Sequence, residues 1–188
     1  MKKFAYLGVA GLSALAVAAC GTAEAASSSD TANPITEAEV AAAQKAWGEG
    51  IVAIGATFTE EGDYRARAAQ HIETHYAYGE SADILFKPTL AAEDQFRETT
   101  EEALSYFVGT EGTEDGGFAI KPYTNVAWEN NGTVISDSGD MAVAMGNYMF
   151  TDIEGGVTKV EYSFAYERDE NGELKIVLHH SSMPFNPS

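Results

Sequence analysis

From Lys159 to Phe164 the chain alternates, and Tyr166 continues the pattern. Val160, Tyr162, Phe164 and Tyr166 are apolar or aromatic, and Lys159, Glu161 and Ser163 between them are polar. Successive side chains of a strand point to opposite faces, so this segment must bury one face and wet the other. It needs neighbours of the same kind, and the second half of the chain supplies them. Val126 to Glu129 leads into Asn130-Asn131-Gly132, and an Asn-Gly pair between strand segments predicts a hairpin to Thr133–Ser136. A turn at Ser138-Gly139-Asp140 opens a long strand over Met141–Thr151, and Glu154-Gly155-Gly156 joins it to the alternating one. Asp169–Gly172 makes the last turn and Glu173–Ser182 the last strand.

The first half is helical. Thr36-Glu37-Ala38-Glu39 fits a capping box, with Val40, Ala43, Trp47 and Ile51 at helical spacing behind it. A second helix is expected from Asp63 to about Tyr76. A third is expected from about Glu93 to Phe107, with Phe96, Leu104 and Phe107 turned inward. Ile84-Leu85-Phe86 reads as a short strand that stops at Pro88. Helices first and an antiparallel sheet after them predict an α+β domain. A curved antiparallel sheet wrapped on N-terminal helices makes a cone-shaped barrel with one open end, where a ligand pocket would lie.

Ahead of this domain lies a different kind of sequence. Lys2 and Lys3 precede an uncharged run, Phe4 to Ala19, shorter than the roughly 20 apolar residues that span a bilayer. A charged start, an apolar middle and small residues at the cut make a secretory signal over residues 1–19. Val17-Ala18-Ala19-Cys20-Gly21 resembles the lipobox of bacterial lipoproteins. Cys20 is the single cysteine of the chain, so no internal disulfide is possible, and lipid attachment at Cys20 is expected. Residues 20–33, rich in Ala, Ser, Thr and Gly, read as a flexible leash, and residues 34–188 as one domain. The placement implied is the periplasm-facing cell envelope, held to the membrane by lipid only. Gly21 after the cysteine resembles the sorting signal for the outer membrane.

The chain carries 11 Lys and Arg against 29 Asp and Glu, a net charge of −18. Loss of the signal removes Lys2 and Lys3 and no acid, leaving 9 against 29, or −20. Nucleic acid and anionic lipid surfaces need the opposite sign, so no nucleic-acid partner is expected.

The four histidines fall in two pairs. His71 and His75, four apart on the second helix, share a face and read as solvated imidazoles. The neighbours His179 and His180 must point to opposite sides of the last strand. A three-histidine zinc site would need one of them to meet His71 and His75. The last strand ends His179-His180-Ser181-Ser182-Met183-Pro184. By alternation His179 and Ser181 share a face. Polar groups there either line a wet cavity or emerge into solvent.

The same stretch resembles the hallmark of the iota-class carbonic anhydrases, in the nuclear transport factor 2-like (SnoaL-like) superfamily. Other segments carry the resemblance in order: Leu85–Thr89, Gln95–Arg97, Ser105–Gly109, Gly117–Pro122, Met145–Tyr148 and Thr158–Tyr162. The resemblance implies reversible hydration of CO2 to bicarbonate and a homodimer. It implies a metal-free site with no cofactor, zinc or manganese being the alternative. By motif, a threonine, a tyrosine and a serine that hold bicarbonate fall on Thr89, Tyr106 and Ser181. His179, on the face of Ser181, is expected to pass the proton outward, since imidazole titrates near pH 6.5. Phe107, Tyr148 and Phe164 are expected to wall a dry seat for CO2. Two other readings use the same cone: a lipoprotein that binds a small apolar ligand, and an isomerase or epoxide hydrolase, which would need a buried carboxylate. Glu161 and Asp152 are the nearest acids on strands for that role.

Overall fold

The structure, a computed structural model, describes residues 33–79 and 84–187. The signal, Cys20 and residues 20–32 of the leash lie outside the described residues. Helix α1 spans Glu37–Thr59 and α2 Tyr64–His75. A three-residue strand β1, Leu85–Lys87, is followed by α3, Thr100–Val108, and a single 3-10 turn, Phe118–Ile120. Four long strands complete the domain: β2 Tyr123–Ile135, β3 Met141–Asp152, β4 Val157–Arg168 and β5 Leu174–Ser182. The sheet order is β1-β5-β4-β3-β2. β1 lies parallel to β5 and the other pairs are antiparallel. The sheet is therefore mixed, and the expectation of a purely antiparallel one is corrected at that edge. The α+β architecture is the one expected, with α1 against β2 and α2 between α1 and α3.

The capping box forms as read. The Thr36 hydroxyl accepts from the Glu39 N–H, and the Glu39 carboxylate accepts from the Thr36 N–H at 2.8 Å. Along α1, Val40, Trp47, Ile51 and Ile54 turn to the core. Trp47 lies at its centre, with ring centroids 5.6–5.9 Å from those of His71, Trp128, Tyr148, Phe164 and His179. On β4, Val160, Tyr162, Phe164 and Tyr166 are all buried, as their alternation requires.

The third helix starts later than expected. Thr99 caps it in a second capping box with Glu102, and Phe96 is 57 % exposed rather than inward. Its neighbour Arg97 goes in instead, with 2 % of its surface left. The reason is polar: the Arg97 backbone N–H donates to the Phe86 carbonyl of β1, and its guanidinium finds an acid inside.

Asn130-Asn131-Gly132 does not turn the chain. β2 runs straight through it, with a register shift between Asn130 and Gly132 where the strand bulges against β3. Asn130 pairs with Gly146 there. A Cβ on Gly146 would come within 2.1 Å of the Glu129 carbonyl oxygen, so the bulge can close only over a bare Cα. Gly132 has open space around it. Gly146→Ala is expected to destabilise the domain by about 2–4 kcal/mol, and Gly132→Ala by roughly 0.5 kcal/mol or less, in chemical denaturation. Equal effects at the two sites would contradict this account of the bulge.

Candidate active site

A second irregularity builds the site. On β5, Leu178 pairs with Ala165 and Ile176 with Tyr166, so Val177 is an extra residue. A bulge of this kind reverses the alternation beyond it. Ile176 faces the core before it, and His179 and Ser181 face the core after it, each 3 % exposed. His180 is exposed on the other face, so the two neighbours divide as expected. β1 pairs in parallel alongside, Phe86 against His179, with the two rings stacked at 4.7 Å. Pro88 ends β1, and Thr89 emerges beside Ser181. Its hydroxyl donates to Ser181 Oγ at 2.9 Å.

From Ser181 a chain of polar groups runs into the core. Ser181 lies beside the Tyr148 hydroxyl of β3, whose proton affinity it lowers against the rise that burial causes. The Tyr148 hydroxyl lies 3.4 Å from His179 Nε2. His179 Nδ1 lies 2.8 Å from the Tyr76 hydroxyl, which accepts from Trp47 Nε1 at 3.1 Å. An indole N–H can only donate, and that fixes the direction of the rest. Tyr76 accepts from Trp47, so its own hydrogen must find an acceptor, and His179 Nδ1 is the one in reach. A buried hydroxyl hydrogen left without one costs about 1–3 kcal/mol. Nδ1 therefore accepts, the hydrogen sits on Nε2, and Nε2–H donates toward Tyr148.

Tyr106 enters from α3. Its ring lies edge-on to Phe86 at 5.8 Å and stacks on Phe118 at 5.7 Å. The Leu90 backbone, next to Thr89, lowers the proton affinity of the Tyr106 hydroxyl against the rise that burial causes. Phe118 and Phe150, 5.3 Å apart, continue the wall from Tyr106 to Tyr148. Thr89 and Ser181 thus meet from a loop and a strand, and Tyr106 approaches from α3 on the side of Phe86 and Leu90. Tyr148, expected only as an apolar wall, brings its hydroxyl to the same place. Phe107 and Phe164 are fully buried around His179 and Tyr76.

Burial dominates the proton affinities. It pushes the Tyr106 and Tyr148 hydroxyls well above the usual phenol range, so both remain hydrogen-bond donors. It holds His179 well below the usual imidazole value. His179 is therefore an enclosed ring held toward its neutral form, 3 % exposed rather than open to solvent. His71 and His75 are also not the solvated pair expected. Their rings lie 4.5 Å apart. Burial lowers His71 well below 6.5 and His75 to about 4. His71 packs so closely on α1 that a Cβ at Gly50 would lie 2.1 Å from its Nδ1.

Among the described residues, no group of three or more His, Cys, Asp or Glu is arranged to hold a metal ion. Glu161 is exposed on the outer face of the sheet and bonded by Ser182 at 3.1 Å. Asp152 caps the β3–β4 turn through the Glu154 and Gly156 N–H groups. Neither stands at the polar chain.

The family model of metal-independent carbonic anhydrases matches residues 38–183. A metal-independent carbonic anhydrase of Nostoc sp. (strain PCC 7120 / SAG 25.82 / UTEX 2576) is 43 % identical over 155 residues, 80 % of this chain and 75 % of that one. The crystal structure of a cyanobacterial iota-carbonic anhydrase complexed with bicarbonate superimposes with a TM-score of 0.78 at 40 % identity, over 82 % of this chain and 95 % of that one. A Xanthomonas campestris protein described as a calcium/calmodulin-dependent protein kinase II association domain shares the fold alone, with a TM-score of 0.50 at 23 % identity, over 79 % and 88 %.

The directed chain has a measurable consequence. Nitrogen NMR is expected to show His179 as the Nε2–H tautomer, without titration between pH 5 and 8. Acid stability follows from the same burial. The unfolded chain takes up protons on His71, His75 and His179 near pH 6.5, and the folded chain takes them up only at lower pH. The thermal midpoint is therefore expected to hold above pH 7 and fall progressively from pH 6.5 toward 4. A flat profile there would contradict the lowered values. With its family model covering most of the domain and its polar chain assembled on that family's fold, this chain belongs to the metal-independent, iota-class carbonic anhydrases.

Proposed function

We propose that Thr89, Tyr106, Tyr148 and Ser181 form the site at which this chain hydrates CO2. The activity follows from the family, and the observation that carries the site is the directed chain from Trp47 to Ser181. The reaction joins a water oxygen to the carbon of CO2, gives bicarbonate and releases one proton. Negative charge grows on the former CO2 oxygens. Bulk water has a pKa of 15.7, and a metal lowers that by its own charge. A site of hydroxyl groups works from the other side, by donating to the oxygens that become negative.

Tyr106 and Tyr148 are suited to that role, because burial keeps both protonated. Ser181 accepts from Thr89 and can hold the attacking water through its remaining valences. Thr89 re-aims its hydrogen at the new bicarbonate oxygen. His179 acts on Tyr148: each donation along the chain polarises the next hydroxyl and makes Tyr148 the stronger donor. The released proton leaves to solvent on the side of Thr89, the half-buried member of the group. Phe86, Phe118 and Phe150 exclude competing water around a small neutral substrate.

The full chain, assayed by stopped-flow CO2 hydration with a strong chelator present, is expected to be active. Ser181→Ala is expected to lower kcat about a hundredfold, because the attacking water loses the group that positions it. A folded Ser181→Ala protein with the wild-type rate would refute the site.

We also infer a lipidated Cys20 after removal of residues 1–19, an envelope location facing the periplasm, and a homodimer. The first two rest on the lipobox-like Val17–Gly21. The dimer is supported by the family and by an outer sheet face that exposes Leu85, Val134, Val143 and Met145. Metabolic labelling with palmitate is expected to be lost in Cys20→Ser. Val143→Glu is expected to shift a sedimenting dimer to monomer. Labelling that survives, or an unshifted dimer, would contradict the respective inference.

A further inference from the structure

Thr89 lies on the segment 88–99 between β1 and α3, which has no helix or strand of its own. Such a segment has to be held from outside, and two adjacent acids hold it. The Glu114 carboxylate accepts from the backbone N–H groups of Ala92 at 2.8 Å, Glu93 at 3.1 Å and Asp94 at 2.9 Å. The Asp115 carboxylate accepts from Arg97 Nη2 at 2.6 Å and from Ser105 Oγ at 2.7 Å. Ser105 is the residue before Tyr106.

Arg97 ties in the rest. Its N–H donates to the Phe86 carbonyl on β1 at 2.9 Å, and its carbonyl accepts from the Tyr78 hydroxyl at 2.7 Å. Nη1 donates to the Asp94 and Phe96 carbonyls. The guanidinium carbon lies 5.8 Å from the centre of the Tyr106 ring, within the range of a cation–π contact. One residue thus joins β1 through its backbone to the segment of Thr89 and the helix of Tyr106 through its side chain.

Stability alone is a poor reason for this arrangement. The Arg97 and Asp115 side chains are 2 % and 5 % exposed. Taking two charges out of water costs several kcal/mol per ion, and well-packed apolar residues are often at least as stable. Arg97 Nε is buried with no hydrogen-bond partner, so the pair is also incompletely satisfied. What a planar guanidinium supplies is fixed geometry.

We propose that the Arg97–Asp115 pair, with Glu114 beside it, is a positioning device that sets Thr89 and Tyr106 against Ser181 for hydration. It rests on the assignment of those three residues to the site. The pair touches no reacting atom. It acts through the placement of two donors, and misplacement by about 1 Å costs up to a hundredfold in rate.

The test compares Arg97→Met, Arg97→Lys, Asp115→Asn and Ser181→Ala in the full chain, with kcat, KM and thermal midpoint measured for each. Arg97→Met and Asp115→Asn are expected to lose about tenfold to a hundredfold in kcat, with KM for CO2 within about twofold. Arg97→Lys keeps the charge and one contact to Asp115, and is expected to recover part of that loss. Folded variants with unchanged kcat would overturn the proposal. So would Arg97→Lys no better than Arg97→Met, with activity tracking thermal stability alone. If Arg97→Met does not fold, Glu114→Ala frees the same segment from an exposed position. It is expected to lower kcat with little change in thermal midpoint, and an unchanged kcat there overturns the proposal. If Ser181→Ala alone is silent, the site assignment has failed, and the positioning role falls with it.

Discussion

The Trp47 indole donates to the Tyr76 hydroxyl, and because an indole nitrogen cannot accept, that contact sets the direction of every hydrogen bond beyond it. Tyr76 hands its hydrogen to His179, and His179 hands its own toward Tyr148. The order depends on burial. In water each of these groups would exchange partners freely. Enclosed among Phe86, Phe107 and Phe164, they have one arrangement in which no hydrogen is stranded. The core is therefore part of the site, and Trp47 serves both.

This inverts a metal centre. A metal brings positive charge to the water and makes it acidic. In the proposed site the protein would bring donors to the oxygens where charge arrives, and burial keeps those donors protonated. The proposed set suits a family that works without metal, because two phenols and two hydroxyls are poor ligands for a cation and good donors to bicarbonate. Of the two histidines that spacing alone offers as ligands, His71 instead packs against Trp47 of α1 and Phe107, and His75 packs against His71.

Much of this is legible in the sequence where the information is local. The capping box at Thr36, the alternation of β4 and the opposed faces of His179 and His180 all need only neighbours three residues apart or fewer. The irregular positions are not legible, because each is decided by a distant partner. Asn130-Asn131-Gly132 has the composition of a hairpin, but Gly146 across the sheet lets β2 bulge and continue. Nothing near Val177 marks it as the extra residue that turns His179 and Ser181 inward. Phe96 outranks Arg97 as a core residue until Asp115, 18 positions away, is known to be inside. Tyr148 could be assigned to the core, but its hydroxyl gains a role only beside Ser181 and His179. The motif resemblance implied Thr89, Tyr106 and Ser181, and the structure adds the hydrogen bond between Thr89 and Ser181.

The central claim is that a directed chain of donors replaces a metal, and removal of the single hydroxyl of Tyr148 tests it most directly. Tyr148→Phe keeps the ring and its packing, and breaks the link between His179 and Ser181. CO2 hydration measured with a strong chelator present is predicted to fall about a hundredfold, with the fold and thermal midpoint little changed. A Tyr148→Phe protein that hydrates CO2 at the wild-type rate would contradict the account.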